Sequence, residues 1–243
     1  MLENDLIHHV VHAAAVDAAV FELRPDYRAV LLAVDGLEPG ASDERSDALL
    51  REAESFARKA LSECPVEELA HVAAWRDAYR AFGAKPQRTR NSLEALVRRA
   101  ADGLPRVNRL TDIYNAVSVL HQIPLGGEDL TRYRGAPRLV RATGEERFDT
   151  VTGGEPLIEH PDRGEVVWRD EEGVTCRRWN WRQGRRTQLT GDTTSALFIL
   201  DALEPLTDDA LRAAADDLAD RLTRLGTDVR VARRCIRHDQ AGT

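Results

Sequence analysis

Cysteine is scarce in this chain. The three cysteines, Cys64, Cys176 and Cys235, are far apart and odd in number. They form no CxxC pair and no Cys/His cluster with zinc spacing. That excludes a disulfide scaffold and a zinc module, and predicts reduced thiols in a cytoplasmic protein. A basic leader is missing too. MLENDLIHHVVHAAAVDAAVFEL carries Asp5 and His8 and no basic opening, which fits neither a secretory signal nor a membrane span. There is no Walker A pattern, no GxSxG elbow and no GxGxxG after a strand, so the familiar nucleotide-binding and hydrolase signatures are absent. Positive charge is in deficit as well, with a formal net charge of -7. A protein that holds nucleic acid by bulk charge is basic, so any RNA contact here must be a local patch.

What is present suits one domain over residues 1–243. The hydrophobic share is 42%, enough at this length for a core without staples. YRAVLLAVDGL (27–37) is an apolar run closed by Asp35-Gly36 and predicts a buried strand with a turn after it. Ser42 or Asp43 caps an expected helix to about Ser62, with Leu49, Leu50, Ala53, Phe56, Ala57 and Leu61 along its inner face. Pro65 predicts the first position of a second helix, ended by Gly83. Asn91 with Glu94 reads as a capping box at the start of a third. LTDIYNAVSVLHQ (110–122) reads as a fourth.

The period then changes. APRLVRAT and ERFDTVT read as strands, and the β-rich runs on either side of Asp170–Gly173 as a hairpin. TQLT and ALFILDAL read as further strands, or as a strand and a helix. Thr207 caps an amphipathic helix to Leu225-Gly226, and TDVRVARRCI reads as a last strand. This order predicts an α+β fold, with helices in the N-terminal half and a mainly antiparallel or mixed sheet in the C-terminal half.

The densest chemistry lies in CRRWNWRQGRR (176–186), with five arginines and two tryptophans. On a strand, Arg178, Asn180 and Arg182 would share one face, and Arg177, Trp179 and Trp181 the other. Two readings are open. Guanidinium forks match phosphate oxygens and indoles offer stacking surfaces. Equally, the tryptophans can pack inward while the arginines pair with acids such as Glu171 and Glu172. A second basic cluster, Lys85, Arg88 and Arg90, favours the first reading if the two clusters meet in space. His8 and His12 lie one helical turn apart, without an HExxH pattern or a third ligand, so no metal site is expected. Gly126-Gly127 and Gly153-Gly154 read as turns.

Between Phe82 and Leu203 several motifs occur in order: FGxKPxxxRxSxEAL, LPxVNxLxDxYNxVS, PLGGEDL, VTCRRWNWRQ and TGDTTSALFIL. In these the chain resembles the tRNA synthetase B3/B4 domain. That domain sits in the β subunit of bacterial phenylalanyl-tRNA synthetase, where it hydrolyses tyrosine mistakenly joined to the phenylalanine tRNA. The chain looks like one of its freestanding relatives. The resemblance implies a B3/B4-like core over about residues 27–205, with an added C-terminal helix and strand. It implies a trans-acting hydrolase of mischarged aminoacyl esters, with tRNA or aminoacyl-tRNA as partner and no cofactor. A non-catalytic RNA or small-ligand binding module on the same fold is the alternative. A complete synthetase is excluded, because the ATP-binding motifs and the length are missing.

The resemblance also implies a site. The family's Thr-Asn pair falls on Tyr114-Asn115, so Asn115 is the candidate for holding a water or the substrate's amino group. The family's histidine position falls on Gly126 and its tyrosine-reading glutamate near Ile199. A pocket selective for tyrosine is therefore not expected, since its polar partner is gone. Backbone N–H groups of Gly126 and Gly127 would form an oxyanion hole. Glu128 or Asp129 would act as a weak base or bind the α-ammonium. Tyr114, Trp179 and Asn180 fall in the substrate pocket. Arg177, Arg178 and Arg182, with Arg88 and Arg90, would hold the RNA.

Overall fold

In a computed structural model, residues 4–238 are described; the ends of the expected 1–243 unit lie outside them. Helix α1 (Asn4–Ala13), strand β1 (Ala15–Val16), α2 (Ala18–Leu23) and β2 (Arg28–Asp35) come first. Four helices follow: α3 (Glu44–Glu63), α4 (Ala70–Ala81), α5 (Ser92–Ala100) and α6 (Arg109–Leu120). Then come β3 (Leu125–Asp129), β4 (Arg138–Arg141), β5 (Phe148–Thr152), β6 (Glu155–Glu159), β7 (Val166–Arg169), β8 (Val174–Arg177), β9 (Arg182–Gln183) and β10 (Ser195–Ala202). Helix α7 (Asp208–Leu222) and β11 (Arg230–Arg237) close the order. The fold is α+β, as the sequence predicts, with most helices early and most strands late. No helix among the described residues is long and apolar enough to cross a membrane.

The central sheet has the order β11-β2-β10-β3 and is antiparallel throughout. Successive side chains on a strand point to opposite faces. Val30, Leu32, Val34, Phe198 and Leu200 therefore join one core, shared with α3, α6 and α7. Leu31, Ala33, Leu197 and Ile199 join a second core, shared with α1 and the Trp75–Tyr79 side of α4. Burial on both faces is why β2 reads as an unbroken apolar run. A mixed sheet, β1-β4-β7-β8-β9, covers the second core.

Local signals set most helix starts. The Asp43 carboxylate accepts from the N–H groups of Arg45 (3.0 Å) and Ser46 (2.8 Å), and the Ser46 hydroxyl accepts from Asp43 N–H (3.0 Å). Asn91, Asn108 and Thr207 cap α5, α6 and α7 in the same way. The capping box expected at Asn91 is only half made. Glu94 turns away to Arg76 (2.8 Å), which neutralises its fully buried carboxylate. The helix expected from Pro65 is split, because Leu69 is extended (ψ 124°) between a short turn at Val66–Glu68 and α4. Phe56, placed inward by its spacing, is 39% exposed. The strand expected at TQLT is replaced by a 3-10 turn, Arg185–Thr187, and a single bridge from Gln188 to Glu128.

His71 joins α4 to the end of β10. Its Nδ1–H donates to Gln122 O (2.7 Å), while Nε2 accepts from Leu203 N–H and the Trp75 indole (3.1 Å each). Burial lowers its pKa to about 4, so the ring is neutral at physiological pH.

Candidate functional site

Strand alternation builds the floor of one cavity of about 250 Å³. Gly126 and Glu128 share a face of β3; Ile199, opposite Gly126, and Asp201 share the same face of β10. Ser92 and Leu96 of α5 and Tyr114 and Asn115 of α6 form one wall. Trp168, Cys176 and the segment from Trp179 to Gln183 form the other.

The two glycines of PLGGEDL have opposite surroundings. They lie in β3 rather than in the expected turn, so their N–H groups point to opposite edges of the strand and do not converge as a paired oxyanion cradle. A Cβ on Gly126 would face the cavity, nearest Gln183 Nε2 at 3.8 Å. A Cβ on Gly127 would lie 2.7 Å from Phe198 and 2.9 Å from Leu189. Gly127→Ala is expected to lose about 1–3 kcal/mol of stability through overpacking. Gly126→Ala should stay within about 1 kcal/mol of wild type. Urea denaturation of the two variants checks both.

The motif residues divide into joints and lining groups. Asp112 is fully buried and accepts from Val107 N–H (2.9 Å) and the Ser46 hydroxyl (3.2 Å), fastening α6 to α3. Asp129 accepts from Thr131 N–H (3.0 Å) and the Thr193 hydroxyl (2.9 Å). That commits Asp129 to the chain around it and leaves Glu128 as the acid of this pair that lines the cavity. Asn115 is 8% exposed, and its carboxamide faces the cavity with no hydrogen-bond partner among the described residues.

The segment after Cys176 is not the straight strand expected. Arg178 (φ 47°) and Trp179 (φ 68°) are left-handed, and the chain reverses between β8 and β9. Each such residue costs about 1–3 kcal/mol unless its surroundings hold it. Trp179 is fully buried, edge-on to Tyr27 (5.0 Å between ring centres) and Trp75 (5.3 Å). Packing of that kind offsets the strain. The reversal aims Asn180 at the floor. Its Oδ1 accepts from Tyr79 OH (3.0 Å) and its Nδ2 donates to Asp201 (3.2 Å), which also accepts from Tyr27 OH (2.6 Å). The Trp168 indole N–H leans toward the same carboxyl without reaching hydrogen-bond geometry.

The lining acids have unusual proton affinity. Burial pushes Glu128 up to about 7, although Tyr133 OH donates to it, and burial pushes Asp201 up to about 7. Burial likewise raises the Cys176 thiol, and it raises Tyr114 to about 12. A carboxyl whose pKa is raised by folding favours the folded state below its unfolded pKa, and that advantage is lost as pH rises to the folded value. His71, lowered to about 4, acts in the opposite direction between pH 4 and 6.5. With two carboxyls against one imidazole, stability should fall from about pH 5 to 7. Glu128→Gln should flatten that slope up to about pH 6.5, and thermal melts across the range would show it.

The arginines are largely spoken for. Arg177 is buried, with Nε and Nη2 on the two oxygens of Glu165 (2.8 and 2.7 Å) and Nη1 on Glu159 (2.9 Å). Arg185 meets Asp149 (3.1 Å), and Arg186 meets Asp170 (2.7 Å) and Glu172 (3.8 Å). Glu171 instead packs beside Gly135. Arg178 stacks over Trp181 (4.5 Å) and donates to the Thr89 hydroxyl (2.7 Å). The two basic clusters thus meet through Arg178 and Thr89. Lys85, Arg88 and Arg90 are exposed there, and Arg90 lies 3.7 Å from Glu94. Arg182 lines the cavity and donates to Val151 O (2.8 Å).

Of the residues singled out from sequence, Tyr114, Asn115, Gly126, Glu128, Trp179, Asn180 and Arg182 line one cavity. Gly127, Arg177, Arg178, Arg88 and Arg90 do not. Asp201, Gln183, Ser92 and Cys176 line it and were not singled out. Asp201 had a signal: it lies two residues after Ile199, on the same strand face. Among the described residues no three His, Cys, Asp or Glu side chains are grouped as metal ligands.

The chain is α+β, with a lined cavity between a central sheet, two helices and a strand reversal. A family model for the B3/4 domain matches residues 74–237. The chain belongs to the B3/4 domain family. The matched span includes α7 and β11. No curated protein matches the chain. Among solved structures it is similar to an N-terminal fragment of the phenylalanyl-tRNA synthetase beta subunit from Pyrococcus horikoshii, at 15% identity and a TM-score of 0.46. The match covers 89% of this chain and 50% of that one, so the chain spans half the length of that structure.

Proposed function

We propose that this protein is a single-domain, cytoplasmic, trans-acting hydrolase of mischarged aminoacyl-tRNA. The observation that carries the reading is the unpartnered Asn115 carboxamide facing the same cavity as the Glu128 carboxyl. An aminoacyl ester is already activated, so holding it beside a positioned water lowers much of the barrier. In this reading the Asn115 amide orients the water and stabilises the developing oxyanion. Glu128 binds the α-ammonium, Tyr114 and Trp179 pack the amino acid, and Asn180 keeps Asp201 in place. Lys85, Arg88, Arg90, Arg178 and Arg182 hold the tRNA end, and Arg177 supports the turn that carries two of them.

The test is ester loss from a panel of correctly charged and mischarged tRNAs with wild-type protein and Asn115→Ala. Selective hydrolysis that the substitution removes supports the proposal. Salt-sensitive tRNA binding without hydrolysis would replace it with the binding-module reading. Neither activity would leave a small-molecule site on the family fold.

A further inference from the structure

The cavity floor carries an acid at each end and no cation between them. Glu128 is held by Tyr133, and Asp201 by Tyr27 and Asn180. Neither carboxyl has an ion-pair partner among the described residues. Strand pairing sets their separation. Glu128 stands opposite Leu197, and Asp201 is four residues further along β10 on the same face. At the rise of a β-strand that is about 13 Å. The interval is filled by Gly126 and Ile199, and the nearest group above Gly126 is the Gln183 amide, 3.8 Å from where a Cβ would lie.

The remaining surroundings suit a cation at both ends. Arg182 is the one basic side chain lining the cavity among the described residues. It is turned to Val151 O and lies 4.0 Å from Glu159. Tyr114, Trp168 and Trp179 supply aromatic walls, which attract cations. Asn115, 8% exposed, faces the cavity with its donor and acceptor both free for a ligand's carbonyl or amine. A wholly apolar occupant would leave Glu128 and Asp201 with only their neutral hydrogen-bond partners.

We infer that the cavity is built for a diamino-acid group, with an ammonium at each end of a short aliphatic chain, as in lysine or ornithine. Glu128 takes the α-ammonium and Asp201 the distal one, while the aliphatic chain lies over Gly126 and Ile199. As a substrate class this rests on the aminoacyl-ester reading above; as a binding preference it stands without it.

Calorimetric titration of the intact protein with lysinamide and with norleucinamide tests the preference directly, because the second lacks only the distal ammonium. Lysinamide should bind at least about ten-fold more tightly. Asp201→Asn should remove that difference by weakening lysinamide binding, and Glu128→Gln should weaken both. Equal or tighter binding of norleucinamide by wild type, or no binding of lysinamide, overturns the inference without recourse to any variant. The two proposals can fail separately. Selective lysinamide binding with no ester hydrolysis keeps the preference and sinks the hydrolase. Hydrolysis confined to esters of uncharged side chains does the reverse.

Discussion

Under the proposed hydrolysis, Asn115→Ala should lower kcat/KM for aminoacyl-tRNA by about 10²–10³-fold, the usual cost of removing one donor from a developing oxyanion. Folding stability should hardly move. The Asn115 carboxamide makes no hydrogen bond with the described residues, so its truncation orphans no native partner. Affinity for tRNA should be unchanged, since the basic residues lie on the loop at 85–90 and around the β8–β9 turn. Single-turnover kinetics separate these effects from product release. Unaltered hydrolysis in the variant would remove Asn115 from the reaction. A large loss of stability would show that it serves the fold.

Arg177→Ala should cost about 3–5 kcal/mol of stability, the range for breaking a buried ion pair by removing one partner. Glu165 is 3% exposed and loses its two-point contact. What remains to it is the backbone N–H of Arg178 (3.2 Å) and of Asp162 (3.4 Å), and the Arg178 side chain at 3.5 Å. The guanidinium also leaves Phe148 and Trp181, whose rings it faces at 5.7 and 5.9 Å. Urea denaturation measures the loss. At a temperature where the variant is folded, its tRNA affinity should match wild type. Arg178→Ala should show the opposite balance: a smaller loss of about 1–2 kcal/mol for its Thr89 and Trp181 contacts, with weaker binding and a salt slope smaller by about one. If Arg177→Ala folds normally and binds tRNA poorly, the roles of these neighbouring arginines are reversed.

The contrast between those two residues marks where sequence reading stops. Helix starts at Asp43, Asn91 and Thr207 are legible, because a cap bonds to backbone groups two or three residues away. The buried character of β2 is legible, because its run of apolar residues is unbroken. The α+β order follows from where the period changes, and the motifs between Phe82 and Leu203 carry the family resemblance. Asn115 and Glu128 stand out from those motifs alone.

What tertiary structure decided is the direction in which each side chain points and what it meets there. Gly126 and Gly127 are the same letter twice, yet one opens a cavity and the other admits Phe198, because strand alternation sends them to opposite faces. Arg177 and Arg178 are likewise adjacent and alike. At the left-handed turn the first goes to the buried Glu165 and the second toward the Thr89 loop. Local preference disfavours that turn at a tryptophan, and the rings of Tyr27, Trp75 and Phe82, far away in the chain, help to hold it. Asp201 directly follows the TGDTTSALFIL motif near the end of an apolar strand, and nothing in the motif tells what it meets. Its place beside Asn180 and Tyr27 depends on contacts 21 and 174 residues distant. Caps and periodicity are short-range and survive in the letters. Partners this remote are chosen by packing, which no local run of sequence records.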